Sequence, residues 1–325
     1  MANCSSLFKE FNNSIMLAES KKCSLRKSRN LLREDIKSYL KQNKPNEILP
    51  KFAGQGSYMM YTIVNPIVDE TGGEYDLDDG VYFIGSAEDR KSVNTYHNWI
   101  VDAVKNRTEE YLAKNTCVRV IYKAGHHIDM PIYFIEDGNI PQLAHKVKGW
   151  IDSDPKEFYT WFNDKAKSND QIRRMTRYFK AWADKRNHDN SNVKMPPGIV
   201  LTILAAENYS ENDRDDIAFK ETMENIYSKL SIAFSCFRPT TPVGEDLLSD
   251  FSTTRKDSFL SSLSSFIDSS RQAIENPNQK SACQKWQKHF GNRFSCANAK
   301  DEVEEANRYS SPAVITSSAK SGKSV

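Results

Sequence analysis

The segment Tyr75-Asp76-Leu77-Asp78-Asp79-Gly80-Val81-Tyr82-Phe83 constrains this chain more than any other. On a strand, side chains alternate between faces, so Asp76 and Asp78 project together while Leu77 points the other way. Two carboxylates side by side repel unless a cation lies between them. An oxygen donor set suits a hard ion such as Mg2+ or Mn2+. An acidic turn closing a strand is the competing reading, because Asp79-Gly80 is also turn-like. A calcium loop of the EF-hand kind is excluded. Opening at Asp76, it would need its closing glutamate at Ala87.

Two further segments bear on the same chemistry. Gly54-Gln55-Gly56-Ser57-Tyr58 is a glycine-serine turn whose backbone N–H groups can approach a phosphate, although such turns are also common without one. In His126-His127-Ile128-Asp129-Met130-Pro131-Ile132-Tyr133-Phe134, Asp129 is a charge entering an apolar strand, and a buried lone carboxylate needs a partner. The His126-His127 pair is discounted as a zinc site. Neighbours on a strand face opposite ways, and no Cys or further His lies at ligand spacing; local polar support is the expected role. Taken in order, a Gly-Ser turn, an Asp-x-Asp strand and a third Asp on a later strand make the arrangement that two-metal phosphoryl transfer requires. Three carboxylates then hold two divalent ions roughly 3.5–4 Å apart.

The pattern around these segments changes once along the chain. Ser5 to about Ala18 and Ser24 to about Gln42 are helical, the second stopped at Pro45. Between Lys21 and Lys44 lie nine basic and two acidic side chains, read first as a solvated helix face and otherwise as a phosphate-facing or partner-binding surface. Strands are expected at Tyr61–Val68, Gly80–Ile84, Cys117–Tyr122 and Asp129–Phe134, with a turn at Thr71-Gly72-Gly73 and a helix over Val93–Lys114. From Asp154 the signal is helical: Pro155–Ala166, Asp170–Arg186, Gly198–Asn208, Asp213–Phe237, Ser249–Asn276 and Lys280–Phe290. Pro155 suits a first turn capped by Asp154. The expected organisation is a sheet lobe with N-terminal helices over 1–150, a helical lobe over 151–309 and a Ser-rich flexible tail over 310–325.

Composition narrows the class. A net charge of +2, from 45 basic and 43 acidic residues, excludes a generic polycation that coats nucleic acid. No apolar run reaches the roughly 18 residues a membrane span needs. MANCSSLFKEFNNS lacks the apolar core of a secretory signal. Cys4, Cys23, Cys117, Cys236, Cys283 and Cys296 are scattered without a CxxC pair, and read as free thiols of a cytoplasmic protein.

With Gly56-Ser57, Asp76-Leu77-Asp78 and Asp129 in this order, the chain resembles the cGAS/DncV-like nucleotidyltransferases (CD-NTases) of the polymerase-β superfamily, nearest the bacterial cyclic GMP–AMP synthase branch. Arg173-Arg174-Met175-Thr176-Arg177-Tyr178-Phe179-Lys180-Ala181-Trp182 is similar to that branch's helix offering a Lys to the donor triphosphate, which nominates Lys180. An amphipathic core helix with Lys180 in water is the alternative. Lys194-Met195-Pro196-Pro197-Gly198 resembles a helix start at which the branch carries a nucleotide-contacting Ser; here Pro197 stands instead. The resemblance implies an α+β fold, a polymerase-β-like lobe with a mixed sheet plus a C-terminal helical lobe, with the active site in the cleft between. It implies a cyclic dinucleotide synthase joining two NTPs, such as ATP and GTP, and releasing pyrophosphate. Asp76, Asp78 and Asp129 would be catalytic and would hold two Mg2+ or Mn2+ ions. Gln55, Gly56, Ser57 and Lys180 would bind nucleotide. Further implications are a role in bacterial anti-phage defence (CBASS), an effector reached through the cyclic product, and a C-terminal tail open to a conjugation apparatus. Neither membrane nor obligatory nucleic acid is implied. The alternatives are a transferase extending RNA 3′ ends, with the basic segment Lys21–Lys44 as its seat, and a catalytically silent nucleotide sensor.

Overall fold

The protein is described by a computed structural model covering residues 1–67, 73–136, 138–190 and 192–302. The turn at Thr71-Gly72 and the tail over 310–325 lie outside these residues. Two helices, α1 (Ser5–Ile15) and α2 (Glu19–Asn43), open the chain. A mixed sheet follows, built from β1 (Lys51–Gln55), β2 (Tyr75–Gly85), β3 (Glu110–Ala113), β4 (Cys117–Tyr122), β5 (His126–Glu136), β6 (Gln142–His145) and β7 (Gly149–Asp152). One short turn of helix, α3 (Gly56–Met59), follows β1, and α4 (Val93–Val104) follows β2. Six helices complete the described chain: α5 (Pro155–Lys165), α6 (Gln171–Asp189), α7 (Gly198–Glu207), α8 (Asp215–Ile232), α9 (Thr253–Glu275) and α10 (Gln279–Phe290).

The sheet runs β1-β2-β5-β4-β3, with β6 beside β5 and β7 beside β6. Its central pair, β2 and β5, is parallel, and the other pairs are antiparallel. Alternation sorts the central strands cleanly. Leu77, Val81, Phe83, Ile128, Met130, Ile132 and Phe134 point to one face, where they join Leu25, Leu32, Ile36 and Leu40 of α2 and Tyr96, Trp99 and Ile100 of α4 in one core. Asp79 belongs to that same face. It is fully buried and accepts hydrogen bonds from both ends of the Arg33 guanidinium of α2, at 2.7 Å from Nε. The Asp79-Gly80 turn reading therefore fails, because β2 runs straight through it.

A second core fills the helical half, and α1 belongs to it rather than to the sheet. Phe8 meets Trp286 at 4.8 Å and Tyr178 at 5.1 Å between ring centroids, and Phe11 meets Phe290 at 4.6 Å. Asp154 caps α5 as expected, accepting from the Lys156 and Glu157 backbone at 2.9 and 3.1 Å, with Pro155 in the first turn.

Three expectations are corrected. Tyr61–Val68 is no strand: over its described part only Val64 bridges another chain segment, Met16, and the carbonyls of Tyr61 and Thr62 are taken by side chains of α6. Val93–Lys114 is two elements, α4 and the edge strand β3, where Tyr111 and Leu112 alternate on an exposed ladder instead of continuing the helix. Cys283 and Cys296 form a disulfide, because the 3-10 turn Gly291–Arg293 after α10 brings the chain back onto that helix. Cys4, Cys23, Cys117 and Cys236 are free.

Candidate active site

The polar face of the central pair forms the floor of the site. β2 and β5 pair in register, Asp76 with His127 and Asp78 with Asp129. Period-two alternation then sets all four side chains on one face, opposite Leu77 and Ile128. Gln55 pairs with Asp78 across β1, and Arg119 pairs with Asp129 across β4, so both flank this group on the same face.

Asp76, His127 and Asp129 each offer a ligand atom within 4.8 Å of the others. Asp78 stands outside that trio and is turned toward the Gly-Ser turn. A Cβ built on Gly56 would lie 2.2 Å from Asp78 Oδ2, and Gly56 has φ +65°, so only glycine fits there. Burial, followed by repulsion from Asp76 and Asp129, pushes the Asp78 carboxyl well above the usual carboxylate range. Asp129 is held differently. Arg119 donates to its two oxygens at 2.6 and 2.7 Å, and Lys114 lies 3.8 Å away. His127 is buried, and neither ring nitrogen makes a hydrogen bond; the nearest carboxylates are Glu74 at 3.4 Å and Asp76 at 3.8 Å. Burial, then the Arg119 charge, pushes the His127 imidazole down, favouring its neutral form.

Facing this floor is a cavity of about 860 Å3 between the sheet and the helical lobe, lined by Asp76, Asp78, Gln55, Gly56, Ser57 and Lys180 among others. Asp129 is the one expected site residue outside that lining. Lys180 stands on the helical wall, donating to Thr62 Oγ1 at 3.1 Å and to the Thr62 carbonyl at 3.3 Å. Burial lowers its amine from 10.5 to about 8, against the pull of Asp76 and Asp78. Gln55 is less free than expected: its amide donates to the Tyr133 hydroxyl at 3.2 Å and accepts from the Tyr82 hydroxyl at 3.1 Å. Those two rings stack at 4.7 Å on the floor. Pro197 precedes α7 at the rim and lines the same cavity.

The donor set fits a divalent cation: Asp76, His127 and Asp129 offer ligand atoms within 4.8 Å of one another, and a neutral imidazole presents one ring nitrogen with a free lone pair. The sequence reading gave His127 only a supporting polar role and missed Arg119. The signal for both was period-two spacing, since His127 is two residues before Asp129 and Arg119 is the polar residue of an otherwise apolar strand.

The sequence and the fold are similar to those of known proteins. Residues 50–133 match the family described as cyclic GMP-AMP synthase DncV-like, nucleotidyltransferase domain. A cyclic GMP-AMP synthase of Escherichia albertii is 31% identical over 192 residues, covering 56% of this chain and 41% of that protein. The cyclic GMP-AMP synthase of Vibrio cholerae is 27% identical over 241 residues, covering 58% of this chain and 54% of that protein. The chain thus aligns with about half the length of these curated relatives. In structure it is similar to Vibrio cholerae DncV cyclic AMP-GMP synthase in complex with nonhydrolyzable GTP, with a TM-score of 0.78 at 20% identity, covering 91% of this chain and 97% of that one.

Proposed function

For a chain that carries the cGAS/DncV-like nucleotidyltransferase domain and fold, we propose the activity of a cyclic dinucleotide synthase that joins two NTPs, ATP and GTP foremost, and releases pyrophosphate. The observation that carries this reading is the polar face of β2 and β5, whose Asp76 and Asp78 line a cavity whose opposite wall presents Lys180. At about 860 Å3, the cavity is near the upper end of the roughly 300–1,000 Å3 usual for small-molecule sites, as seating two nucleotides requires.

Asp76, Asp78 and Asp129 would hold divalent cations, Mg2+ or Mn2+ and two in number, which supply charge neutralisation and a more acidic acceptor hydroxyl when bound. The chain's own groups then act by position. The Gly56 and Ser57 N–H groups and the Ser57 hydroxyl donate to donor phosphate oxygens, and the missing Cβ at Gly56 lets the Asp78 carboxylate lie against this turn. Lys180 exchanges Thr62 for a phosphate oxygen and offsets its charge. Arg119 fixes the plane of the Asp129 carboxylate. Holding two reactants in line accounts for much of the rate of such transfers. The tyrosine pair and Gln55 keep the floor beside Asp78 rigid.

The reading as an enzyme that extends RNA 3′ ends is disfavoured, because α2 packs on the apolar face of the sheet, opposite Asp76 and Asp78, and Arg33 is committed to Asp79. A silent sensor is disfavoured by the three carboxylates. A cytoplasmic second messenger in anti-phage defence, with an effector downstream and a conjugation apparatus acting on the tail, remains the biological setting we propose. Among the described residues no helix is long and apolar enough to cross a membrane.

The test is to incubate the protein with radiolabelled ATP, GTP, CTP and UTP and Mg2+ or Mn2+, then treat the products with phosphatase and nuclease P1. A phosphatase-resistant dinucleotide is expected, and its nuclease sensitivity reports the linkage. Products that are only linear, or that extend an added RNA primer, would overturn the proposal.

A further inference from the structure

Four histidines are buried in this protein: His97, His126, His127 and His289. His97 Nε2 meets the Ala144 carbonyl at 2.9 Å, His126 Nε2 meets the Ser28 hydroxyl at 2.9 Å, and His289 Nε2 meets the Ser269 hydroxyl at 2.8 Å. His127 alone among them has both ring nitrogens without a hydrogen bond, although the residue is only 6% exposed. Leaving a buried polar group without a hydrogen bond costs on the order of 1–3 kcal/mol, and the nearest groups on offer, the Glu74 and Asp76 carboxylates at 3.4 and 3.8 Å, make none with it.

Its surroundings say what partner this imidazole takes. His127 shares the polar face of β5 with Asp129 and pairs in register with Asp76 on β2. Ligand atoms of these three residues lie within 4.8 Å of one another. The ligands of one octahedral ion at roughly 2.1 Å stand about 3.0–4.2 Å apart, so modest side-chain rotations close the trio around one cation. Asp129 stays eligible while it holds Arg119, because each carboxylate oxygen has a second lone pair. Arg119 then orients a ligand, as groups behind a metal's ligands commonly do.

We infer that His127 is a nitrogen ligand of the cation site, sharing one ion with Asp76 and Asp129, and that the site therefore takes a first-row transition ion such as Mn2+ in preference to Mg2+. Mn2+ stands lowest among the first-row ions in affinity for such a nitrogen-containing site, yet it accepts one imidazole beside carboxylates more readily than Mg2+, which keeps to oxygen ligands and water. The inference rests on the reading of this floor as a cation site and adds the imidazole and the selectivity to it.

Pulsed EPR on the untagged, nucleotide-free protein with Mn2+ tests it without any variant. A 14N hyperfine coupling of the size expected for a directly bound imidazole is the predicted result. Mn2+ binding without that coupling would overturn the inference and leave the cation reading standing. No Mn2+ binding in the wild type would overturn both. His127→Asn adds a quantitative arm: Mn2+ affinity is expected to fall at least tenfold while Mg2+ affinity changes less than threefold, with an unchanged circular dichroism melt confirming the fold. Equal losses for the two ions would make His127 a packing residue and sink the selectivity claim. Asp76→Asn, measured in parallel, is expected to weaken both ions.

Discussion

Single residues carry the sharpest consequences. Gly56 occupies a left-handed conformation against Asp78, so Gly56→Ala combines backbone strain of about 1–2 kcal/mol with a clash. Turnover is expected to fall at least a hundredfold, and urea denaturation should register a loss of about 2 kcal/mol. Lys180 gives a pH signature. Its amine is depressed to about 8, so it is cationic below that pH and neutral above it. The KM for NTP should be flat below about pH 8 and rise above it, and in Lys180→Met it should be high and flat. The linkage runs the other way for stability. The folded pKa lies below the unfolded one, so charge on Lys180 opposes folding below about pH 8, and Lys180→Met should melt no lower than wild type. A drop in Tm with unchanged KM would make Lys180 a mere core residue. Asp76 and Asp78 were legible in the sequence because period-two spacing is a local signal. The partners of Asp129 and the neighbour of His127 were not, since register across β2, β5 and β4 brings them together from distant positions.

At the level of elements, α6 does more than present Lys180. Arg173, Arg177 and Lys180 recur at helical spacing and donate in turn to the carbonyls of Met60, Tyr61 and Thr62, at 3.3, 2.8 and 3.3 Å. This row of cations holds the segment after the Gly-Ser turn against the helical lobe. It also explains why Tyr61–Val68, apolar and β-branched enough to read as a strand, is not one: long-range side chains took the carbonyls that a ladder would use. Arg177 is nearly buried and also donates to Asn12 Oδ1 at 2.8 Å. Arg177→Met should therefore cost about 3 kcal/mol in urea denaturation, in line with losing two charge-assisted hydrogen bonds. It should raise the KM for NTP as well, through the loosened turn. Helices α5, α6, α7 and α10 were legible to within three residues of their ends, whereas the readings over α8 and α9 ran past the helix, to Phe237 and from Ser249, because the apolar signal continued beyond the hydrogen-bonded turns.

For the whole molecule, two cores meet at one cleft. The sheet core is sealed by α2 and α4 and the helical core by α1, so the chain's first helix crosses to the lobe formed by its last. Sequence order hid that crossing, since nothing local tells an amphipathic helix which core it will join. Phe8→Ala removes a fully buried ring among Tyr178, Phe219 and Trp286, and should cost about 3–5 kcal/mol by urea denaturation. The central claim is that the polar floor of β2 and β5, seen across the cleft by Lys180, joins nucleotides. Its most direct test compares the wild type with Asp76→Asn/Asp78→Asn, supplied with α-labelled ATP, GTP and Mn2+, by counting phosphatase-resistant label while circular dichroism reports the fold. We expect resistant product from the wild type and a loss of at least a thousandfold in a folded double variant; resistant product in equal amounts from both would contradict the account.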